Sequence, residues 1–137
     1  MYLELSRCAG SFTDRSWSKM YRRSKTGWNV LYMEKIPLTV CPLSNIKLRV
    51  FEKMENHNLK KMLEKGIRVT INSDDPAYFG GYINQNFFAV QQALKLNENE
   101  IVEIAKNGFR SSFLPQESIE KHLESIEEFT FKLKNST

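Results

Sequence analysis

Two adjacent carboxylates, Asp74 and Asp75, are the residues of this sequence whose type and spacing could do chemistry. They follow the β-branched run 69–71 and precede Pro76, which cannot donate a hydrogen bond to a ladder and therefore ends a strand. The near-continuous apolar character of the run is typical of a parallel strand covered on both faces. Since α/β proteins bind ligands at the carboxyl ends of such strands, we expect both acids at a ligand-binding edge.

The pair carries an electrostatic cost that needs compensation. Two carboxylates side by side repel each other and lose hydration unless a cation or a hydrogen-bond donor satisfies them. The sequence Asp-Asp-Pro is also ordinary turn chemistry. From these residues alone, a turn and a binding edge both stay open.

A second strand end precedes the acids in the chain. Residues 36–40 favour a strand, which Pro42 stops, and this places Ser44 and Asn45 at the carboxyl mouth of that strand. The two polar side chains could shape a ligand pocket, or they could fill the capping and turn roles that Ser and Asn often have.

The segments 36–45 (IPLTVCPLSN) and 73–82 (SDDPAYFGGY), in this order and spacing, resemble the last two strand-end motifs of the adenosine and adenine deaminase family. The CPLSN and FGGY sequences resemble the adenine deaminase branch more than the adenosine branch. The resemblance runs from about Tyr32 to about Leu114.

The resemblance implies an α/β fold, with residues 32–137 as the C-terminal portion of a (β/α)8 barrel, namely its last two β/α units and the terminal helices. At 137 residues the chain is shorter than the about 250 that such a barrel needs. The implied activity is zinc-dependent conversion of adenine and water to hypoxanthine and ammonia in purine salvage, with adenosine deaminase as the alternative. We expect this truncated chain alone to be inactive.

The resemblance also assigns roles to the acids. Asp74 is implied to ligate a catalytic Zn²⁺, and Asp75 to accept a hydrogen bond from the imidazole portion of the purine. Zinc chemistry suits this hydrolysis because the ion lowers the pKa of bound water toward about 7. His57 and His122 match no metal-binding position of the family, and no further catalytic residue is identified.

Residues 1–31 differ from the rest of the chain. Residues 1–35 hold seven Lys/Arg against three Asp/Glu, whereas residues 36–137 hold thirteen of each. One interpretation is a disordered basic arm that binds nucleic acid, which would make the chain a binding module and not an enzyme. We favour a frameshift, since codons for residues 14–20 read one base later can give Ile-Asp-His-Gly-Val-Lys, which resembles the family's His-Gly motif after strand six.

Composition sets the remaining bounds. With 41% hydrophobic and 26% charged residues the chain is typical of a globular protein without a membrane helix. Its two cysteines show no metal or disulfide spacing and suit a reducing compartment, so we expect a cytoplasmic protein with a small purine as its partner.

The pattern predicts helices around both strand ends. A helix at 59–64 ends at Gly66, and another after Gly80-Gly81 carries an apolar stripe of five residues. Asn97 caps a helix through Lys106 that Asn107-Gly108 closes, and the last helix covers 116–134 with four residues on one apolar face. The stripe comprises Ile83, Phe87, Phe88, Val90 and Leu94, and the face comprises Ile119, Leu123, Ile126 and Phe129.

Overall fold

The computed structural model describes residues 27–136, in which helices surround a two-stranded parallel sheet. Most of the predicted basic segment, residues 1–26, lies outside the described residues. In chain order the elements are α1 (Gly27–Met33), β1 (Leu38–Val40), α2 (Pro42–Lys47), a 3₁₀ turn (Met54–Asn56), α3 (Leu59–Glu64), β2 (Val69–Ile71), α4 (Pro76–Phe79), α5 (Ile83–Leu94), α6 (Glu98–Arg110) and α7 (Gln116–Asn135).

The two strands pair in parallel, with Leu38 opposite Val69 and Val40 opposite Ile71. The helices α2 and α3 lie in the connection between them, as a parallel crossover requires. All three residues of β2 are buried, which confirms the prediction of a strand covered on both faces. β1 begins at Leu38 and not at Ile36, because the first ladder hydrogen bond is donated by Leu38 N and the preceding Pro37 has no N–H.

One hydrophobic core joins the sheet to helices α3, α5 and α6, which come later in the chain than the strand β1. Leu59 and Met62 from α3, Val90 from α5 and Ile104 from α6 all bury 98% or more of their surface against it. The same core also contains Leu31 from α1 and the strand and loop residues Leu38, Val40, Ile67, Val69, Ile71 and Leu96.

Helix α1 corrects part of the sequence prediction. Residues 27–31 are not disordered: they form most of α1, Leu31 is buried, and Trp28 packs against the core. The Lys65 ammonium also lies 5.7 Å from the centre of the Trp28 ring. The boundary predicted at residue 31 therefore falls inside a helix that belongs to the same core as the strands.

The predicted end of α3 is confirmed, whereas the predicted end of α6 is wrong. α3 spans Leu59–Glu64 as expected. α6 begins after Asn97 with the expected cap but runs through Asn107 and Gly108 to Arg110. The helix continues because Asn107 is buried and its side-chain oxygen accepts a hydrogen bond from Arg110 within the helix, so the Asn-Gly pair does not act as a turn.

Three apolar residues predicted to pack inward are exposed. Ile83 and Phe88 on α5 are 42% and 62% exposed, and Phe129 on α7 is 65% exposed. On α5 the buried face is narrower than predicted and centres on Val90, while Phe87 and Leu94 pack at its margin. On α7 the buried residue is Ile119, which lies in the first turns of the helix. Within residues 27–136, no helix has both the length and the apolar character for crossing a membrane.

Candidate active site

The two strand ends bring Ser44, Asp74 and Asp75 to the same edge of the sheet. α2 begins two residues after β1, and the acids follow β2 by three and four residues. Because the strands are parallel and in register, both carboxyl ends open on one side. The predicted placement of the acids at the carboxyl end of a parallel strand is confirmed.

Asp74 is held in one position by its backbone and by two hydrogen bonds. Its φ of +57° lies in the left-handed region, which Asp tolerates better than most residues. Ser44 Oγ donates to Asp74 Oδ2 at 2.7 Å, and Asp75 N donates to Asp74 Oδ1 at 2.9 Å. Each carboxylate oxygen thus keeps a further lone pair for another ligand.

Asp75 caps the short helix α4. Its Oδ1 accepts hydrogen bonds from Ala77 N and Tyr78 N, both at 3.1 Å. Within residues 27–136 its Oδ2 makes no hydrogen bond, and the residue is exposed. The structure therefore confirms the turn role of Asp75, and its second oxygen is left without a hydrogen bond in the described part of the chain.

Buried Asn86 on α5 ties the two strand-end segments together. Its Oδ1 accepts a hydrogen bond from Leu43 N at 3.0 Å, and its Nδ2 donates to the carbonyls of Gly81 and Tyr82 at 3.2 and 3.0 Å. Gly81 also packs closely on this segment, because a Cβ at that position would displace the end of the Leu43 side chain. The loop after β1 and the loop after β2 are thus one hydrogen-bonded unit.

His57 contacts the segment after β1 through Asn45 and caps the start of α3. It is 3% exposed, its Nδ1 accepts from Leu59 N at 3.1 Å, and its Nε2 contacts Asn45 Oδ1 at 3.1 Å. These partners require the neutral ring with the proton on Nε2. Burial lowers the pKa of His57 to about 4. His57 is therefore a buried capping residue whose ring also contacts the Asn45 side chain. His122 stacks on Phe109, with ring centres 4.5 Å apart.

The described residues do not complete a metal site. No three His, Cys, Asp or Glu side chains of residues 27–136 lie together in a way that could hold a metal ion. Asp74 offers one carboxylate with spare lone pairs, whereas catalytic zinc usually has three protein ligands. This donor set alone does not fit a zinc ion.

The acids lie outside two clefts of this part of the chain. One cleft of about 440 Å³ lies beside Tyr32 and Arg68, before the start of β2, and another, of about 340 Å³, lies beside Thr70 and Phe87. Neither of these two is lined by Asp74 or Asp75. Both acids are exposed, so they lie on an open edge of this part of the chain.

The sequence did not reveal three contacts at this edge. These are the hydrogen bond from Ser44 to Asp74, the contact of Asn45 with His57, and the hydrogen bond of Asn86 with Leu43 N. All three contacts join residues far apart in the chain, so no local spacing signals them. For Asn86 the available signal was a polar residue in the otherwise apolar inward face of α5.

Comparison with known proteins places most of the chain in one family. The family described as adenosine deaminase matches residues 23–129. The adenine deaminase of Chlorobium phaeobacteroides is 56% identical over 101 residues, which are 74% of this chain and 30% of that protein. The adenine deaminase of Crocosphaera subtropica is 62% identical over 81 residues, or 59% of this chain and 25% of that protein. The chain thus spans about 30% of the length of the curated relatives it matches.

Solved structures agree with this placement. The crystal structure of adenine deaminase from Arthrobacter aurescens has a TM-score of 0.76 and 39% identity, covering 80% of this chain and 34% of that one. The N6-methyl-AMP deaminase of Arabidopsis thaliana has a TM-score of 0.65 at 18% identity, a likeness of fold alone, over 85% of this chain and 32% of that one.

Proposed function

This chain belongs to the adenosine deaminase family, and we propose that it is the C-terminal portion of a zinc-dependent adenine deaminase. The reaction is the hydrolysis of adenine to hypoxanthine and ammonia. The observation that carries the proposal is the 56% identity over 101 residues with a protein described as an adenine deaminase. Relatives at 50–62% identity share that description, which favours adenine over adenosine as the substrate.

The carboxylate pair supports the assignment of separate roles. We assign Asp74 to the metal as one of several ligands, since each of its oxygens has a single hydrogen bond and a spare lone pair. We assign Asp75 to the substrate, because its exposed Oδ2 can accept a hydrogen bond from a purine N–H. The other ligands and the pocket walls come from parts of the complete enzyme that residues 27–136 do not contain.

The architecture that goes with this function is the end of a (β/α)8 barrel. β1 and β2 would be its last two strands, and α5 to α7 its terminal helices. The assignment of residues 1–26 to a separate segment stays a prediction, as do the frameshift and the cytoplasmic location. The family match begins at residue 23, so sequencing the gene in this region is the direct test of the frameshift.

The experiment is a chimera in which residues 27–137 replace the corresponding C-terminal segment of the Chlorobium phaeobacteroides enzyme. The junction at Gly27 keeps α1 and its buried Leu31 with the core. We expect the purified chimera to convert adenine, followed by its ultraviolet absorbance, and to convert adenosine far more slowly. A chimera that elutes and melts like the unmodified relative but leaves adenine unchanged would contradict the proposal.

A further inference from the structure

The Asp74 carboxylate is fixed by a serine that comes from a different strand end. Ser44 Oγ lies 2.7 Å from Asp74 Oδ2, and the two residues are 30 positions apart in the chain. A hydrogen bond to a charged acceptor at this distance is of the stronger, charge-assisted kind. The contact therefore joins the loop after β1 directly to the acid after β2.

Ser44 is itself rigidly placed. The residue is 1% exposed, in the first turns of α2, so its hydroxyl has little freedom to turn to water. Asn86 holds the preceding Leu43 by its backbone N–H, and His57 contacts the following Asn45. Both supporting side chains are buried, and they anchor the residues on either side of Ser44.

The geometry points to Ser44 as a positioning residue for the proposed deaminase reaction, acting through Asp74. An exposed carboxylate rotates freely about its terminal torsion, which is broad and roughly two-fold. Here two donors from two segments, Ser44 Oγ and Asp75 N, each hold a different oxygen. This leaves one carboxylate orientation, set before any ligand arrives, and this pre-organisation is what a reacting group requires.

A purely structural serine would behave differently. A buried serine with a purely structural role would contribute equally to the stability of the fold with and without Asp74. A positioning hydroxyl affects turnover through Asp74, and its contribution to folding comes from the hydrogen bond to Asp74, so that contribution disappears when Asp74 is removed.

The test uses the chimera described above, and the inference rests on the proposed function. We expect Ser44→Ala to lower kcat about 10- to 100-fold, the usual loss when a partner of a ligating side chain is removed, with KM changed less than about threefold. Ser44→Thr keeps the hydroxyl and restores most of kcat. The matched control is Ser112→Ala at the end of α6, which removes a hydroxyl with a hydrogen bond of 2.7 Å to the Phe109 carbonyl and leaves kcat within about twofold.

A second measurement keeps the test decisive if Ser44→Thr is too large for its buried site. We measure how far Ser44→Ala shifts the thermal midpoint, once in the chimera with Asp74 and once in the chimera with Asp74→Ala. We expect a shift only in the protein that has Asp74. Equal shifts in both backgrounds, or a kcat unchanged by Ser44→Ala, would overturn the inference alone. A folded, unmodified chimera that leaves adenine unchanged would refute the proposed function and this inference with it.

Discussion

Asp74 and Asp75 are neighbours in sequence but differ in what already occupies their oxygens. Both oxygens of Asp74 hold one hydrogen bond each, whereas Asp75 uses one oxygen for capping and leaves the other open. Like charges this close are tolerated because each carboxylate has donors of its own. The difference in partners gives the two acids different expected losses on substitution.

The first prediction concerns those losses in the chimera. Asp74→Ala should abolish deamination and zinc retention together, because it removes a ligand. Asp75→Ala should keep the metal and lower kcat/KM about 100-fold or more, the scale for losing one preorganised polar contact at a reacting group. Turnover and zinc content per chain, measured on the same preparations, check both. Equal zinc content in the unmodified chimera and Asp74→Ala would contradict the ligand assignment.

The second prediction follows from the neutral, buried His57. Its pKa in the folded protein is about 4, below the ordinary value of 6.5. The unfolded chain therefore binds more protons between these values, so the contribution of His57 to stability is fully present above pH 6.5 and is lost as the pH falls toward 4. Between pH 7 and pH 5 the loss is about 2 kcal/mol.

The matched variant for this test is His57→Gln, which keeps a donor for Asn45 but cannot titrate. Thermal midpoints of the chimera and of His57→Gln should converge as the pH is lowered from 7 to 5. The carboxylates titrate in both proteins, so the difference between the two isolates His57. Parallel curves across this range would show that the histidine does not titrate with folding.

At the scale of elements, local signals succeeded where the chain itself supplies the partner. The Asn97 cap was predicted, and the structure has the full capping box, with Glu100 N donating to Asn97 Oδ1 at 3.0 Å and Asn97 N donating to Glu100 Oε2 at 2.7 Å. Both partners lie within one helical turn, which is why spacing alone finds them. The strand 69–71 was also found from local sequence, because its continuous apolar and β-branched composition is typical of a strand buried on both faces.

Local signals failed where distant residues decide. Asn107-Gly108 reads as a helix end, but burial of Asn107 against the core keeps α6 continuous. Phe88 and Phe129 follow the helical spacing of buried residues, yet the described part of the chain offers no surface that covers them. The candidate acids were predictable from their motif, but the hydrogen bond from Ser44 depends on the register of β1 with β2.

The third prediction tests the packing between the two strand-end loops. Gly81→Ala introduces a Cβ into the Leu43 side chain, and displacement of that side chain next to Ser44 should cost about 1–3 kcal/mol. Gly108→Ala is the control, because no atom lies within 4 Å of its new Cβ and alanine favours the helix. We expect the thermal midpoint of the chimera to fall with the first change and to hold or rise with the second.

Combining Gly81→Ala with Leu43→Ala separates a steric clash from a backbone effect. Because the shortened side chain no longer meets the new Cβ, Gly81→Ala should lower the thermal midpoint less in the Leu43→Ala background than it does with Leu43 present. An equal fall of the thermal midpoint in both backgrounds would show that the glycine is needed for another reason.

At the scale of the whole molecule, the described residues leave a strand edge and several large apolar side chains open. Within residues 27–136, β2 pairs with β1 and with no other strand, so one edge of β2 is open in this part of the chain. Large apolar side chains are exposed as well, among them Phe113 at 81% and Phe131 at 69%. Open strand edges and exposed apolar groups are sites for association with other chains.

The last prediction is that the 137-residue chain alone has no deaminase activity and is poorly soluble as a monomer. Asp74 would give a metal one ligand where catalytic zinc usually has three, and both acids are exposed. The chain is expressed alone, and adenine conversion with added zinc is followed by absorbance alongside size-exclusion chromatography. The chimera serves as the positive control, because it joins the same residues 27–137 to the remaining part of the relative's chain. A soluble monomer of the short chain that converts adenine would contradict the prediction, since the described residues would then suffice for a reaction whose metal site they do not complete.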